Sequence, residues 1–119
     1  MKLSAPRESI LKPLQAVIGV VERRQTMAIL SHVLLRTDKN KLSITGTDLE
    51  VELVADTEVD SATAGEVTVP GRKFYDICRA LPDGCKVDIS LSGDRLTMKA
   101  GRSRFTLSTL PAGDFPLVE

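Results

Sequence analysis

The sequence predicts an α+β domain made of two βαβββ halves, with two helices packed on one face of antiparallel sheet. Three observations predict it. Two segments repeat apolar residues at helical spacing. Five segments alternate apolar and polar residues as half-exposed strands do. The second half of the chain also overlays the first, so one pattern occurs twice. At 119 residues the chain is the size of one domain, 1–119, and can bury a core without disulfides or metals.

Taken in order, the first helix is predicted around Ile10, Leu14, Val17, Ile18 and Val21, which form one apolar stripe. Pro13 inside it should kink the helix or mark a late start. Strands follow at Val33-Leu34-Leu35, at Leu42-Ser43-Ile44-Thr45 and at Leu49-Glu50-Val51-Glu52-Leu53, with a hairpin turn at Asp38-Lys39-Asn40. Val67-Thr68-Val69 is a further strand before the second helix. That helix carries Phe74, Ile77, Cys78 and Leu81 between Pro70-Gly71 and the turn Pro82-Asp83-Gly84. The last strands are Val87 to Leu91, Leu96 to Lys99 and Phe105 to Ser108, with a turn at Ser92-Gly93-Asp94.

The repeat fixes the halves. A shift of 64 lays Pro6 on Pro70, Ile10 on Phe74 and Leu14 on Cys78. A shift of 54 lays Lys41-Leu42-Ser43-Ile44 on Arg95-Leu96-Thr97-Met98, Val51 on Phe105 and Leu53 on Leu107. The difference is an extra connection around Glu22 to Met27. In this overlay Asp48 and Glu50 fall on Arg102 and Arg104.

Composition removes several function classes. Aromatic residues make up 3% of the chain and Trp is absent, so base-stacking platforms for single strands are lacking. Net charge is zero, which argues against a chain that coats nucleic acid everywhere, although a local basic patch stays possible. No apolar run reaches membrane-spanning length, and the N-terminus lacks a signal-peptide core, so a cytoplasmic protein is the expectation. Cys78 and Cys85 match no zinc or redox spacing. They are read as a small buried residue on a helix and a loop or strand-start residue.

Charge is sorted along the chain. Six acids and no base lie between residues 48 and 60: Asp48, Glu50, Glu52, Asp56, Glu58 and Asp60. The second helix carries Arg72, Lys73 and Arg79, and the last hairpin carries Arg95, Lys99, Arg102 and Arg104. Lys12 with Gln15 flanks the first stripe, and Arg23-Arg24 follows it. Such Lys and Arg positions bind phosphates without reading sequence, or else they are solubilising charge. Asp48, Glu50 and Glu52 would share one face of a strand. They could hold a divalent metal for phosphoryl transfer, or form the solvated face of an amphipathic strand with Leu49, Val51 and Leu53 inward. His32 has no nucleophile or orienting partner nearby and is read as structural or surface. No phosphate loop or nucleophile elbow is present, so spacing gives no case for catalysis and no cofactor is expected.

Longer blocks carry a family resemblance. Arg7-Glu8-Ser9-Ile10-Leu11-Lys12-Pro13-Leu14, Ile44 to Glu50, Thr68 to Lys73, Asp76-Ile77-Cys78, Gly101 to Leu107 and Ser108 to Pro116 resemble the beta subunit of bacterial DNA polymerase III, the sliding-clamp family. Ala28 stands where the family usually has Pro, and His32 where Asn is common. The resemblance implies a DNA clamp fold, with this chain as the first of three such domains. It implies two subunits closed head to tail around duplex DNA, helices inside and sheet outside, with no catalysis of their own. By position, Arg24 and Arg72 match DNA-contacting arginines, with Lys12 and Arg79 as neighbours of the hole. Lys73, Arg102, Arg104, Phe105 and Leu107 match the edge that docks on the other subunit, although Phe105 and Leu107 could be core residues. Polymerase and clamp loader would bind through the later domains, and no membrane is implied. Two rivals stay open: a metal-dependent phosphoryl-transfer enzyme using Asp48, Glu50 and Glu52, and a protein-interaction module using the basic edge.

Overall fold

The computed structural model describes residues 1–21 and 28–116. Strand β1 (Lys2–Pro6) runs directly into helix α1 (Arg7–Val17), which ends in a 3-10 turn at Ile18–Val20. A second 3-10 turn, Ala28–Ser31, leads into β2 (His32–Asp38), β3 (Lys41–Thr47), β4 (Glu52–Glu58) and the short β5 (Ser61–Thr63). The unit then recurs as β6 (Gly65–Pro70), α2 (Gly71–Ala80), β7 (Lys86–Ser92), β8 (Arg95–Ala100) and β9 (Ser103–Ser108).

The sheet is divided in two, ordered β5-β1-β7-β8-β9 and β4-β3-β2-β6, with every pairing antiparallel. Each half lends its first strand to the other half's sheet. Pro6 pairs opposite Lys86, and Pro70 opposite His32. Those partners are related by the two shifts read from the sequence, so the duplication is a property of the pairing as well as of the pattern. The exchange interlocks the halves, because neither sheet is complete without a strand from the other half.

One core joins both sheets and both helices. Ile10, Leu14 and Val17 of α1 and Phe74 and Cys78 of α2 are buried with Leu35, Leu42, Ile44, Ile89, Leu96 and Met98 of the strands. Alternation sends the other residues of each strand to the face away from the helices. Burial desolvates Cys78 and pushes its thiol up to about 12, so it packs as a hydrophobe. Helix α1 starts at Arg7 and runs through buried Pro13, so a late start is excluded. At Gly46 of β3, an added Cβ would lie 3.1 Å from Val21 Cγ2 and 3.2 Å from the Val17 carbonyl oxygen. Glycine there lets the end of the first helix approach the sheet closely.

The hairpins follow their turn residues. Asp38 pairs with Lys41 across Lys39 and Asn40, which take φ of 44° and 64°, the left-handed geometry of a tight two-residue hairpin. The reading of residues 49–53 as an amphipathic strand is overturned. Residues 48–51 form a loop, Leu49 takes φ of 80°, and β4 begins at Glu52. The cause is local. Asp48 Oδ1 accepts hydrogen bonds from the backbone N–H groups of Glu50 (3.0 Å) and Val51 (2.7 Å). Thr47 Oγ1 donates to the Val51 carbonyl at 2.9 Å and accepts from the Leu49 N–H at 3.1 Å. Side chains that bond the backbone in this way compete with a strand ladder and here replace it. Leu49, Val51 and Leu53 therefore face solvent at 51%, 47% and 39% exposure, the reverse of the expected inward face.

This loop also corrects the overlay. Ile44 pairs with Ala55, and Met98 with Phe105, so the third strands superpose with a shift of 50, not 54. Ala55, not Val51, is the counterpart of Phe105, and Asp48 and Glu50 are not counterparts of Arg102 and Arg104.

The two helix ends are cross-tied. Arg7 donates to the carbonyl oxygens of Cys78 (3.2 Å) and Arg79 (3.3 Å), and to Asp83 Oδ1 at 2.6 Å. A cation on the last carbonyls of α2 satisfies orphan acceptors and complements the helix dipole. Glu8 accepts from the Gly84 N–H in turn, at 3.0 Å and 3.1 Å.

His32 closes the other end. Thr68 Oγ1 donates to the Leu110 carbonyl at 3.0 Å, which spends its only hydrogen, so His32 Nδ1, 3.0 Å away, must carry the proton between them. Burial disfavours the charged ring and lowers its pKa. The unfolded chain therefore takes up a proton near about pH 6.5 that the folded chain resists, and stability falls as pH drops through that value. His32→Asn is expected to flatten this part of the pH profile in thermal melts between about pH 7.5 and about pH 5. An unchanged profile would contradict the assignment.

Candidate nucleic-acid interface

Helix α2 builds the interface. Its apolar residues turn Phe74 and Cys78 into the core, both fully buried. Arg72, Tyr75 and Arg79 then fall along one line of the helix, at spacings of three and four residues. The Arg72 guanidinium carbon stands 5.7 Å from the Tyr75 ring centroid, and that of Arg79 stands 5.3 Å from it. Arg72 is half-buried and Arg79 exposed, whereas the ring between them is buried at 8% exposure. Neither guanidinium makes an ion pair or a hydrogen bond among the described residues, and Arg72 Nε is buried with no partner. Asp76, one helical turn from each, pairs with neither. Two cations on one helix line with no counterion among the described residues have the chemistry that suits an anion.

The remaining expected site residues separate. Arg24 lies outside the described residues. Lys12 is exposed on α1, in a shallow groove with Pro13, Ala16 and Ala55, on the β4 side of the helix. Lys73 is exposed beside Arg72. On β9, an edge strand, Arg104 is exposed on the outer face, and Arg102 is exposed in the turn before the strand. Leu107 is buried at 6% and belongs to the core, and Phe105 is half-buried against the same core. Lys99 stands directly opposite Arg104 in the ladder. Like charges so placed repel. Asp88 stands opposite Lys99 on its other side, and no acid among the described residues forms an ion pair with either Lys99 or Arg104. The sheet with β9 at its edge therefore ends in Arg102 and Arg104, both exposed and without an ion pair among the described residues.

The other sheet ends in β4, with the opposite sign. Asp56 and Glu58 are exposed there, after the acidic loop 48–51. The expected row of Asp48, Glu50 and Glu52 does not form. Asp48 is spent on backbone N–H groups, which hold its carboxyl below the usual carboxylate range, and Glu50 sits in the loop. No group of three metal-ligating side chains is found among the described residues. Nor is any described helix long and apolar enough to cross a membrane.

Sequence reasoning missed Tyr75. An aromatic residue beside a helical stripe reads as core, and only its place between Arg72 and Arg79 signals a second role. It also missed the tie that Arg7 and Glu8 make to the end of α2, because its partners lie 71 to 76 residues away in the chain.

Two helices on one side and a divided sheet of interchanged halves behind them define a DNA clamp fold. The chain belongs to the family of the DNA polymerase III beta subunit, N-terminal domain, whose model matches residues 1–119. The beta sliding clamp of Pseudomonas aeruginosa is 58% identical over 120 aligned residues, and that of Escherichia coli K12 is 51% identical over 117. Those alignments cover 100% and 98% of this chain but only 33% and 32% of the relatives, so the chain spans about a third of their length. Among solved structures, a P. aeruginosa sliding clamp bound to griselimycin superposes with a TM-score of 0.97 at 57% identity, over 100% of this chain and 32% of that one.

Proposed function

We propose that this chain is the N-terminal domain of a sliding clamp that holds a replicative DNA polymerase III on duplex DNA. In the whole protein, of three such domains, two subunits close head to tail into a ring. The helix face lines the hole and the sheets form the outer wall. Arg24, Arg72 and Arg79, with Lys12 nearby, meet phosphates without reading bases, which permits sliding. The β9 edge, with Lys73, Arg102, Arg104 and Phe105, docks on an acidic edge of the other subunit. Leu107 supports that edge from inside the core. The subunit is non-catalytic and cytoplasmic, works at the replication fork, and engages the polymerase's catalytic subunit and the clamp loader through domains beyond this one.

The observation that carries this reading is the uncompensated arginine pair on α2, on the helix side of the domain. The metal-dependent phosphoryl-transfer alternative loses its basis with the dispersal of Asp48, Glu50 and Glu52. The test uses the full-length subunit and a short duplex. Arg24→Ala with Arg72→Ala is expected to lower the slope of log affinity against log salt by roughly 1.8, the value for two lost phosphate contacts. A double variant that binds as the parent does would remove the DNA-contact assignment.

A further inference from the structure

We propose that Tyr75 is a positioning residue for DNA contact. Its ring holds Arg72 and Arg79 in place so that both guanidiniums present their N–H edges outward to phosphates. This inference rests on the DNA-contact reading above and deepens it.

The geometry assigns the role. Both guanidiniums lie within cation–π range of one ring, at 5.7 Å and 5.3 Å. The ring itself cannot shift, because Tyr75 is 8% exposed and packs in the main core. A guanidinium on a ring uses its π face, and its in-plane donors stay free. No carboxylate or carbonyl among the described residues accepts from either guanidinium, and because Arg72 Nε is buried and unbonded, the terminal nitrogens are the donors left for an anion. Arginines restrained only by salt bridges would have to break them to bind phosphate. Arginines restrained by a ring do not. Free arginine side chains also lose more rotamer entropy on binding than restrained ones do. The ring therefore prepares two cations for anions without engaging their terminal donors. Tyr75 does not need its hydroxyl for this.

The experiment measures duplex affinity of the full-length subunit by fluorescence anisotropy, together with arginine Nε–Hε resonances. Tyr75→Phe keeps the ring and is expected to bind as the parent does. Tyr75→Leu keeps an apolar side chain without the ring and is expected to bind about tenfold more weakly, from the rotamer freedom that two unrestrained arginines lose on binding. It should also lose the ring-current shift of the Arg72 and Arg79 signals. In an Arg72→Ala, Arg79→Ala background, Tyr75→Leu should have no further effect on affinity, because the coupling runs through those side chains. The positioning role is overturned if Tyr75→Phe binds as weakly as Tyr75→Leu, if Tyr75→Leu binds as the parent does, or if its effect persists without the arginines. Tyr75→Leu is also melted, and affinities are read well below its unfolding temperature, so that loss of fold is not read as loss of positioning. If the double arginine variant alone binds as the parent does while the ring-current shifts are present in the parent, the DNA reading fails and the ring contact stands.

Discussion

Phe74→Ala is expected to destabilise the domain by about 3–5 kcal/mol, the cost of emptying a large, fully buried aromatic site. Phe74 is 0% exposed and lies among the largest side chains of the core. A domain of this kind has about 5–15 kcal/mol in all, so the variant loses from roughly a fifth of its stability to all of it. The effect reaches the interface, because Phe74 seats the face of α2 opposite Arg72 and Arg79. Urea denaturation of parent and variant measures it through the shift in midpoint. A change below about 1 kcal/mol would mean that the helix is seated by something other than its buried stripe.

The second large effect concerns assembly. Arg102 and Arg104 are exposed at the β9 edge, without an ion pair among the described residues, and Arg104 stands opposite Lys99 of β8. If an acidic edge docks there, Arg102→Glu with Arg104→Glu replaces attraction with like-charge contact, which costs several kcal/mol at an interface. Sedimentation of the full-length subunit is expected to show dimer dissociation strengthened roughly a hundredfold or more. The fold of this domain should be unchanged, because both side chains project from the surface. A double variant that remains dimeric at parental concentrations would move the contact away from β9.

Much of this fold is legible in the sequence because its signals are local and agree with one another. Ile10, Leu14 and Val17, like Phe74 and Cys78, repeat at helical spacing and are all buried. Leu42 and Ile44 alternate with polar neighbours, as do Leu96 and Met98, and these too are buried. The misplaced strand fails for an identifiable reason. Leu49, Val51 and Leu53 alternate as well as any true strand, but Asp48 and Thr47 bond the local backbone into a loop, and periodicity does not register a side chain that competes with the ladder. The three residues of β5 are too few to show a period. The exchange of first strands between halves rests on pairing over long sequence separations, which no local pattern reports.

The interface is legible in part. The cations of α2 and β9 are plain in the chain, and the structure separates them onto a helix face and a sheet edge. Leu107 is a core residue, as one of its two readings had it. What composition could not give is the absence of partners for Arg72 and Arg79 among the described residues, since Asp76 sits at a spacing that would suit a salt bridge with either. That depends on where the ring of Tyr75 draws both guanidiniums.

The central claim is that the helix side of the domain faces duplex DNA and the outer sheet face does not. Asp76 on α2 and Asp88 on β7 are both exposed acids on those two sides. Single cysteines placed there, Asp76→Cys and Asp88→Cys, change charge equally and can carry the same photo-crosslinker in a full-length ring loaded on circular duplex. Adducts to DNA from position 76, with position 88 at background, are the expected result. Adducts from 88 and none from 76 would contradict it.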